Sequence, residues 1–103
     1  MRIDWSQRPV SDLSALYDSI AQDSPLYAER FVATLIRATD PLVDFPELGR
    51  RVPEEPDREN VRELLVRTYR IIYRIDADRV LIATVLHDSR DVDRLEDKPW
   101  KAP

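Results

Sequence analysis

The sequence contains no cysteine and only one histidine, His87. Without cysteine the chain can form neither disulfides nor thiolate metal centres, and one histidine cannot build a histidine-rich site. The 20 acidic residues are scattered among arginines, so we expect no metal and no cofactor. The longest apolar run, from Val80 to Leu86, is too short to span a bilayer, and the first residues lack a secretory leader. A cytoplasmic protein is therefore expected.

Lysine is scarce, because arginine supplies 14 of the 16 basic residues. The formal net charge is −4, which argues against a protein built mainly to hold nucleic-acid phosphates. The stretch from Arg67 to Arg74 nevertheless carries three arginines and no acid. Guanidinium groups pair well with carboxylates or phosphates, so a local basic stripe is compatible with an acidic total. A general preference for arginine codons accounts for most of the other arginines.

The first half of the chain has the pattern of one strand and two helices. Arg2–Trp5 alternates polar and apolar residues, which predicts a strand with Trp5 in the core. Ser11 and Asp12 are suited to start a helix that ends around residues 22–23. One apolar face of this helix follows the helical period: Leu13, Leu16, Tyr17 and Ile20.

Ser24 and Pro25 predict the start of a second helix, with Ser24 as the capping residue and proline where its missing N–H costs nothing. Pro41 should end this helix near residues 39–40. The short gap between the helices favours an antiparallel helical hairpin. The expected buried stripe of the second helix is Ala28, Phe31, Val32, Leu35 and Ile36.

Residues 44–57 hold three prolines and the only glycine, which predicts a loop within one domain, with Phe45 and Leu48 packed inward. Three strands should follow, over residues 62–66, 69–75 and 80–86, as an antiparallel meander. The fold class is thus α+β, with a helical hairpin over one sheet face. Tyr69 and Tyr73 should lie under the helices. The other face should be open as a working surface.

The residues after Arg90 are rich in charge. We therefore expect a single domain over residues 1–91 and a solvated, charged tail over residues 92–103. Trp100 stands apart in this tail. It is expected to pack on a partner protein, with docking on its own domain as the alternative.

Five segments, in chain order, resemble the RelE/ParE toxin superfamily. They are residues 12–20, similar to the first helix of the family; 45–50 (FPELGR), similar to its FP-x-x-GR loop; 62–64, similar to its R-x-L strand start; 69–75 (YRIIYRI), similar to its Y-R-x-x-Y strand; and 85–91, similar to its V-x-H-x-x-R ending. The resemblance implies the toxin of a type II toxin–antitoxin system, which inhibits growth or stabilises plasmids. A cognate ParD- or RelB-like antitoxin would wrap it with a helical segment into a hetero-oligomer.

The resemblance leaves three functions open. ParE-like members inhibit DNA gyrase, and RelE-like members cut messenger RNA on the ribosome. The third is an inactive toxin-like binding module. A metal-independent nuclease needs cations for the phosphate and an acid–base pair, for which the resemblance offers Arg70, Arg90 and His87. Val61 and Glu63 stand where the nuclease branch has lysines, and Glu96 stands near its C-terminal tyrosine.

These departures favour the ParE-like branch, so a gyrase inhibitor rather than an enzyme is expected. A ribosome or messenger RNA target is the less favoured alternative. His87 is then a structural residue, and the remaining candidates bind the target or the antitoxin instead of cleaving RNA. They are Arg62, Arg67, Arg70, Arg74, Arg90 and Trp100.

Overall fold

The computed structural model describes residues 1–90, 92, 95 and 98–101. The expected α+β order is confirmed, with one strand and two helices followed by antiparallel strands. The main elements are β1 (Arg2–Trp5), α1 (Gln7–Ala21), α2 (Pro25–Arg37), β2 (Arg50–Arg51), β3 (Val61–Val66), β4 (Tyr69–Ile75) and β5 (Arg79–His87). Short 3₁₀ turns lie at Asp40–Val43 and Pro99–Lys101. None of the helices in these described ranges is both long and apolar enough to cross a membrane.

Helix α1 begins at Gln7, so the start predicted at Ser11 was wrong by about one turn. Pro9 is tolerated there because the first amides of a helix have no partner within it. Asp12 has another use. Its carboxylate accepts hydrogen bonds from the Thr84 hydroxyl at 2.7 Å and the Val85 amide at 2.9 Å, so it holds α1 against β5.

Helix α2 begins as predicted. The Ser24 hydroxyl accepts a hydrogen bond from the Tyr27 amide at 3.2 Å, and Pro25 occupies the first helical position. Ala28, Phe31 and Leu35 are buried, but Ile36 at the end of the predicted stripe is 42% exposed. The apolar stripe of α2 is therefore only partly buried, because Ile36 is open to solvent.

The five strands form one sheet in the order β1-β5-β4-β3-β2. The predicted meander of β3, β4 and β5 is confirmed, and β1 joins it parallel to β5. Strand β2 lies inside the segment predicted as an irregular loop. It pairs with β3 through Arg50 opposite Glu63.

The helices cover one sheet face, where the main core lies. Tyr73 is fully buried in it, and Tyr69 and Trp5 are partly buried against it. The buried members of this core are Leu13, Phe31, Leu35, Leu42, Ile71, Tyr73, Val80, Ile82 and Val85.

The other sheet face is also covered, so the prediction of an open working face was wrong. A second apolar cluster joins the loop, the sheet and the C-terminal segment, and consists of Val52, Val61, Ile72, Ala83, Val92 and Trp100. Trp100 is fully buried, and its carbonyl oxygen accepts a hydrogen bond from Arg74 at 2.8 Å. The tail is thus not simply solvated, since Val92 and residues 99–100 pack against the sheet. Glu96 lies outside the described residues.

The loop before β3 is fixed by polar contacts, whereas Phe45 and Leu48 were wrongly predicted to pack inward and are 66% and 56% exposed. The Tyr73 hydroxyl donates to the carbonyl of Pro46 at 2.7 Å and accepts from the Gly49 amide at 2.9 Å. A Cβ on Gly49 would lie only 2.6 Å from that hydroxyl oxygen. This close approach explains the glycine of the FPELGR segment.

Candidate functional site

Arg70 lies at the centre of a buried ion cluster on the second sheet face. Its side chain is 6% exposed. Its Nε donates to Glu63 at 2.6 Å, and its two terminal nitrogens donate to the two carboxylate oxygens of Glu54 at 2.8 and 2.9 Å. Glu63, which is fully buried, also accepts a bond from Arg50 at 2.6 Å. Two carboxylates therefore neutralise Arg70 and hold it in place.

The pKa shifts in this cluster follow from the same contacts. The hydrogen bonds from Arg70 lower the pKa of Glu54 below its usual range. The bonds to Glu54, followed by those to Glu63, raise the pKa of Arg70 beyond the usual value for arginine. The ion pairs therefore favour the charged forms of Glu54 and Arg70, and neither of these two groups is poised to exchange a proton in acid–base catalysis.

Arg62 and Arg74 are used within the fold. Arg62 donates to the carbonyl of Gly49 at 3.0 Å. Arg74 pairs with Asp76 through bonds of 2.8 and 3.0 Å. The guanidinium groups of Arg74 and Arg79 lower the pKa of Asp76. These contacts lie at one end of the β3–β4 pair, where Arg62 is opposite Tyr73 and Arg74 is opposite Val61.

His87 and Arg90 are exposed and lie in one surface cleft of about 290 Å³, together with Arg8 and Asp12. The His87 Nδ1 atom accepts a hydrogen bond from the Ser89 amide at 3.1 Å. Arg70 does not line this cleft, and it reaches Arg90 only at the backbone oxygen, at 3.4 Å. The three residues considered for RNA cleavage are therefore not brought together with their side chains facing one site.

Arg67 lies at the tip of the β3–β4 hairpin and is exposed. Its guanidinium carbon is 5.4 Å from the centroid of the Phe31 ring, and a terminal nitrogen is 3.4 Å from the Tyr27 hydroxyl. The hairpin tip is thus joined to α2.

An apolar groove of about 480 Å³ runs along the outside of the helical hairpin. Val10 is 53% exposed, Tyr17 37% and Ile36 42%. The groove is lined by Trp5, Val10, Leu13, Ser14, Tyr17, Val32 and Ile36. Sequence reasoning missed it because these residues were assigned to the core or, for Val10 and Ser14, left unassigned. The available signal was that each helix carries more apolar positions than one buried stripe needs.

Potential metal ligands do not gather in the described ranges, where no group of three or more histidine, aspartate or glutamate side chains could hold an ion.

The sheet order, the helical hairpin and the FPELGR loop together define a small toxin of the RelE/ParE superfamily. A family model described as the ParE toxin of the type II toxin–antitoxin system parDE matches residues 3–92. The chain therefore belongs to the ParE toxin family. Trp100 lies beyond the matched residues.

Two relatives are toxins or putative toxins by name, and one solved structure has the same fold. Toxin RelE2 of Caulobacter vibrioides is 37% identical over 87 residues, which are 84% of this chain and 93% of the relative. The putative toxin Y4kP of Sinorhizobium fredii is 38% identical over 89 residues, covering 84% and 86%. A chain of the chromosomal ParDE toxin–antitoxin system from P. aeruginosa has the same fold, with a TM-score of 0.69 at 21% identity over 84% of this chain and 95% of that one.

Proposed function

We propose that this toxin inhibits growth by binding DNA gyrase in the cytoplasm, and that a cognate ParD-like antitoxin silences it. The observation that carries the proposal is the state of Arg70. The RelE-like alternative needs this arginine as a cation for the phosphate, but Glu63 and Glu54 already occupy three of its five hydrogen-bond donors. Binding to a protein target requires no such free cation.

Glu63 also works against RNA cleavage by its charge. A carboxylate at the position where the nuclease branch has a lysine supplies no positive charge to stabilise a phosphorane, and it pairs with the charges of Arg70 and Arg50 instead. Removing Arg70 from its two carboxylates would leave buried charges unpaired, which is strongly unfavourable. The cluster is therefore better explained as a support for the loop and the C-terminal segment than as a nuclease site.

The test compares the two targets directly. With purified gyrase, the toxin is expected to slow supercoiling. With translating ribosomes, it is expected to leave the messenger RNA intact, as shown by mapping RNA ends. Codon-specific cleavage that disappears in Arg70→Ala would contradict the proposal. Expression without the antitoxin should stop growth, and harmless expression would favour an inactive binding module.

The apolar groove is the proposed docking site for a helical segment of the antitoxin. Its lining comes from both helices and β1, and several of its apolar side chains are too exposed to belong to the core. Burying them under an amphipathic helix removes apolar surface from water in both proteins. In the RelE/ParE superfamily, which the sequence resembles, the antitoxin wraps the toxin with such a helix.

Val10→Asp and Ile36→Lys should each weaken antitoxin binding at least tenfold, or about 1.4 kcal/mol, because each would place a charge in the groove. Both side chains are already about half exposed, at 53% and 42%, and each new charge suits its end of the helix. The fold should therefore persist. Leu48→Asp, at a site that is 56% exposed and outside the groove lining, is the matched control. Equal binding by all three variants, measured by calorimetry, would exclude the groove.

A further inference from the structure

The β3–β4 hairpin turns through two residues, Arg67 and Thr68, and Arg67 has a φ of 55°. Among the residues that the structure describes, Arg67 is the one non-glycine residue with positive φ. Two-residue hairpin turns require positive φ and usually place asparagine or glycine there. Since a glycine would adopt this backbone without strain, the arginine is explained by what its side chain does.

The Arg67 side chain packs over the ring of Phe31, which belongs to the main core. Phe31 is 6% exposed. Tyr27 stacks on it at a centroid distance of 6.0 Å and an interplanar angle of 4°. Tyr69 meets its edge at 5.5 Å, and His87 meets Tyr69 at 5.4 Å. This row of rings joins α2, β4 and the end of β5, so the guanidinium is presented on a rigid support.

Arg67 is exposed, and most of its hydrogen-bond donors have no partner among the described residues. A guanidinium has five N–H donors, and Tyr27 takes one of them in a long contact of 3.4 Å. No ion pair joins Arg67 to a carboxylate within the described part of the chain. Beside it, Tyr27 is 50% exposed. The result is an exposed cation next to a half-exposed aromatic side chain.

This surface is distinct from the groove proposed for the antitoxin. Neither Tyr27 nor Arg67 lines the groove. On α2, Phe31 and Ile36 point roughly 140° apart, given 3.6 residues per turn. A partner that contacts Arg67 therefore does not need to fill the groove.

We propose that Tyr27 and Arg67 form the surface with which the toxin binds its target protein. The inference rests on the proposed function, because it assumes that the target is a protein. Arginine and tyrosine dominate the binding energy of protein interfaces, above all where they are ordered before binding. The chemistry fits a target surface that offers a carboxylate beside an apolar pocket, where it would complete the free donors of Arg67.

The Arg67→Gly variant tests the proposal, because glycine suits the backbone of the turn and removes only the side chain. We expect its unfolding midpoint to equal or exceed that of the wild type, and its binding to purified gyrase to fall at least tenfold. Growth inhibition should be lost, and antitoxin binding should stay unchanged. Thr68→Gly is the matched control, since it loosens the same turn and keeps Arg67. Tyr27→Phe should give an intermediate loss of gyrase binding.

Each outcome decides the question. An Arg67→Gly protein that still stops growth and binds its target overturns the surface. A loss of stability in parallel with a loss of activity assigns Arg67 a purely structural role, as the link between the hairpin and α2. If the wild type stops growth but ignores gyrase, the gyrase target is wrong, and growth inhibition by the variants still tests the surface. A wild type that never inhibits growth overturns both proposals.

Discussion

Replacing Glu63 with alanine is expected to lower the free energy of unfolding by about 3–5 kcal/mol, the usual cost of removing one partner from a buried ion pair. The Glu63 carboxylate is fully buried and accepts bonds of 2.6 Å from both Arg70 and Arg50. Without it, the Nε of Arg70 loses its partner in the interior, and Arg50 loses its link between β2 and β3. Urea denaturation, with the midpoint and slope measured together, gives the change.

A double substitution separates the charge effect from the packing effect. Glu63→Leu combined with Arg70→Met removes both buried charges and keeps apolar volume, so it should restore much of the lost stability. Glu54 and Arg50 can then turn to water, since their side chains are 17% and 56% exposed. If the double variant is as unstable as the two single changes added together, the ion pair is not the cause of the loss.

Replacing Trp100 with alanine should cost about 3–5 kcal/mol, as for other large aromatic residues removed from a core. Trp100 belongs to the second apolar cluster and is fully buried, with a relative solvent exposure of 0%. Its loss would uncover Ile72 and Val61 on the second sheet face. The measurement is again the unfolding free energy, with tryptophan fluorescence followed through the remaining Trp5.

Trp100→Phe is the control for this prediction. The indole Nε1 is buried without a hydrogen-bond partner among the described atoms, so phenylalanine removes an unsatisfied donor and keeps most of the ring. Its cost should be well below that of alanine. A change of less than about 0.5 kcal/mol for Trp100→Ala, typical of surface sites, would show that the C-terminal segment does not belong to the core in solution.

The elements with strong local signals could be predicted from the sequence. Ser24 and Pro25 mark the start of α2, and the alternation from Tyr69 to Ile75 places the tyrosines under the helices and the arginines on the other face. Helix α1 was predicted to start too late because Ser11 and Asp12, which are suited to a helix start, lie in its second turn. The first turn of a helix accepts proline freely.

The second sheet face could not be predicted, because its cover comes from a segment that is charged on average. Of the described residues in this segment, Val92, Leu95 and Trp100 pack there, and no period marks them in the sequence. The pairing of Glu63 with Arg70 in the ion cluster could have been predicted from strand geometry. With a two-residue turn, Glu63 faces Ile72 and therefore lies diagonally from Arg70 on the same face, a pairing that strand geometry favours. The predicted strand boundaries allowed this pairing, but the sequence left open whether Arg70 pairs with a neighbouring acid or binds a partner.

The most direct test of the central claim is a supercoiling assay with purified gyrase, the toxin alone, and the toxin with its antitoxin. The account predicts that supercoiling falls as toxin is added, that the antitoxin restores it, and that Arg70→Ala reduces the effect only as far as it unfolds the protein. Full gyrase activity at toxin concentrations that arrest growth, together with cleaved messenger RNA in the same cells, would contradict it.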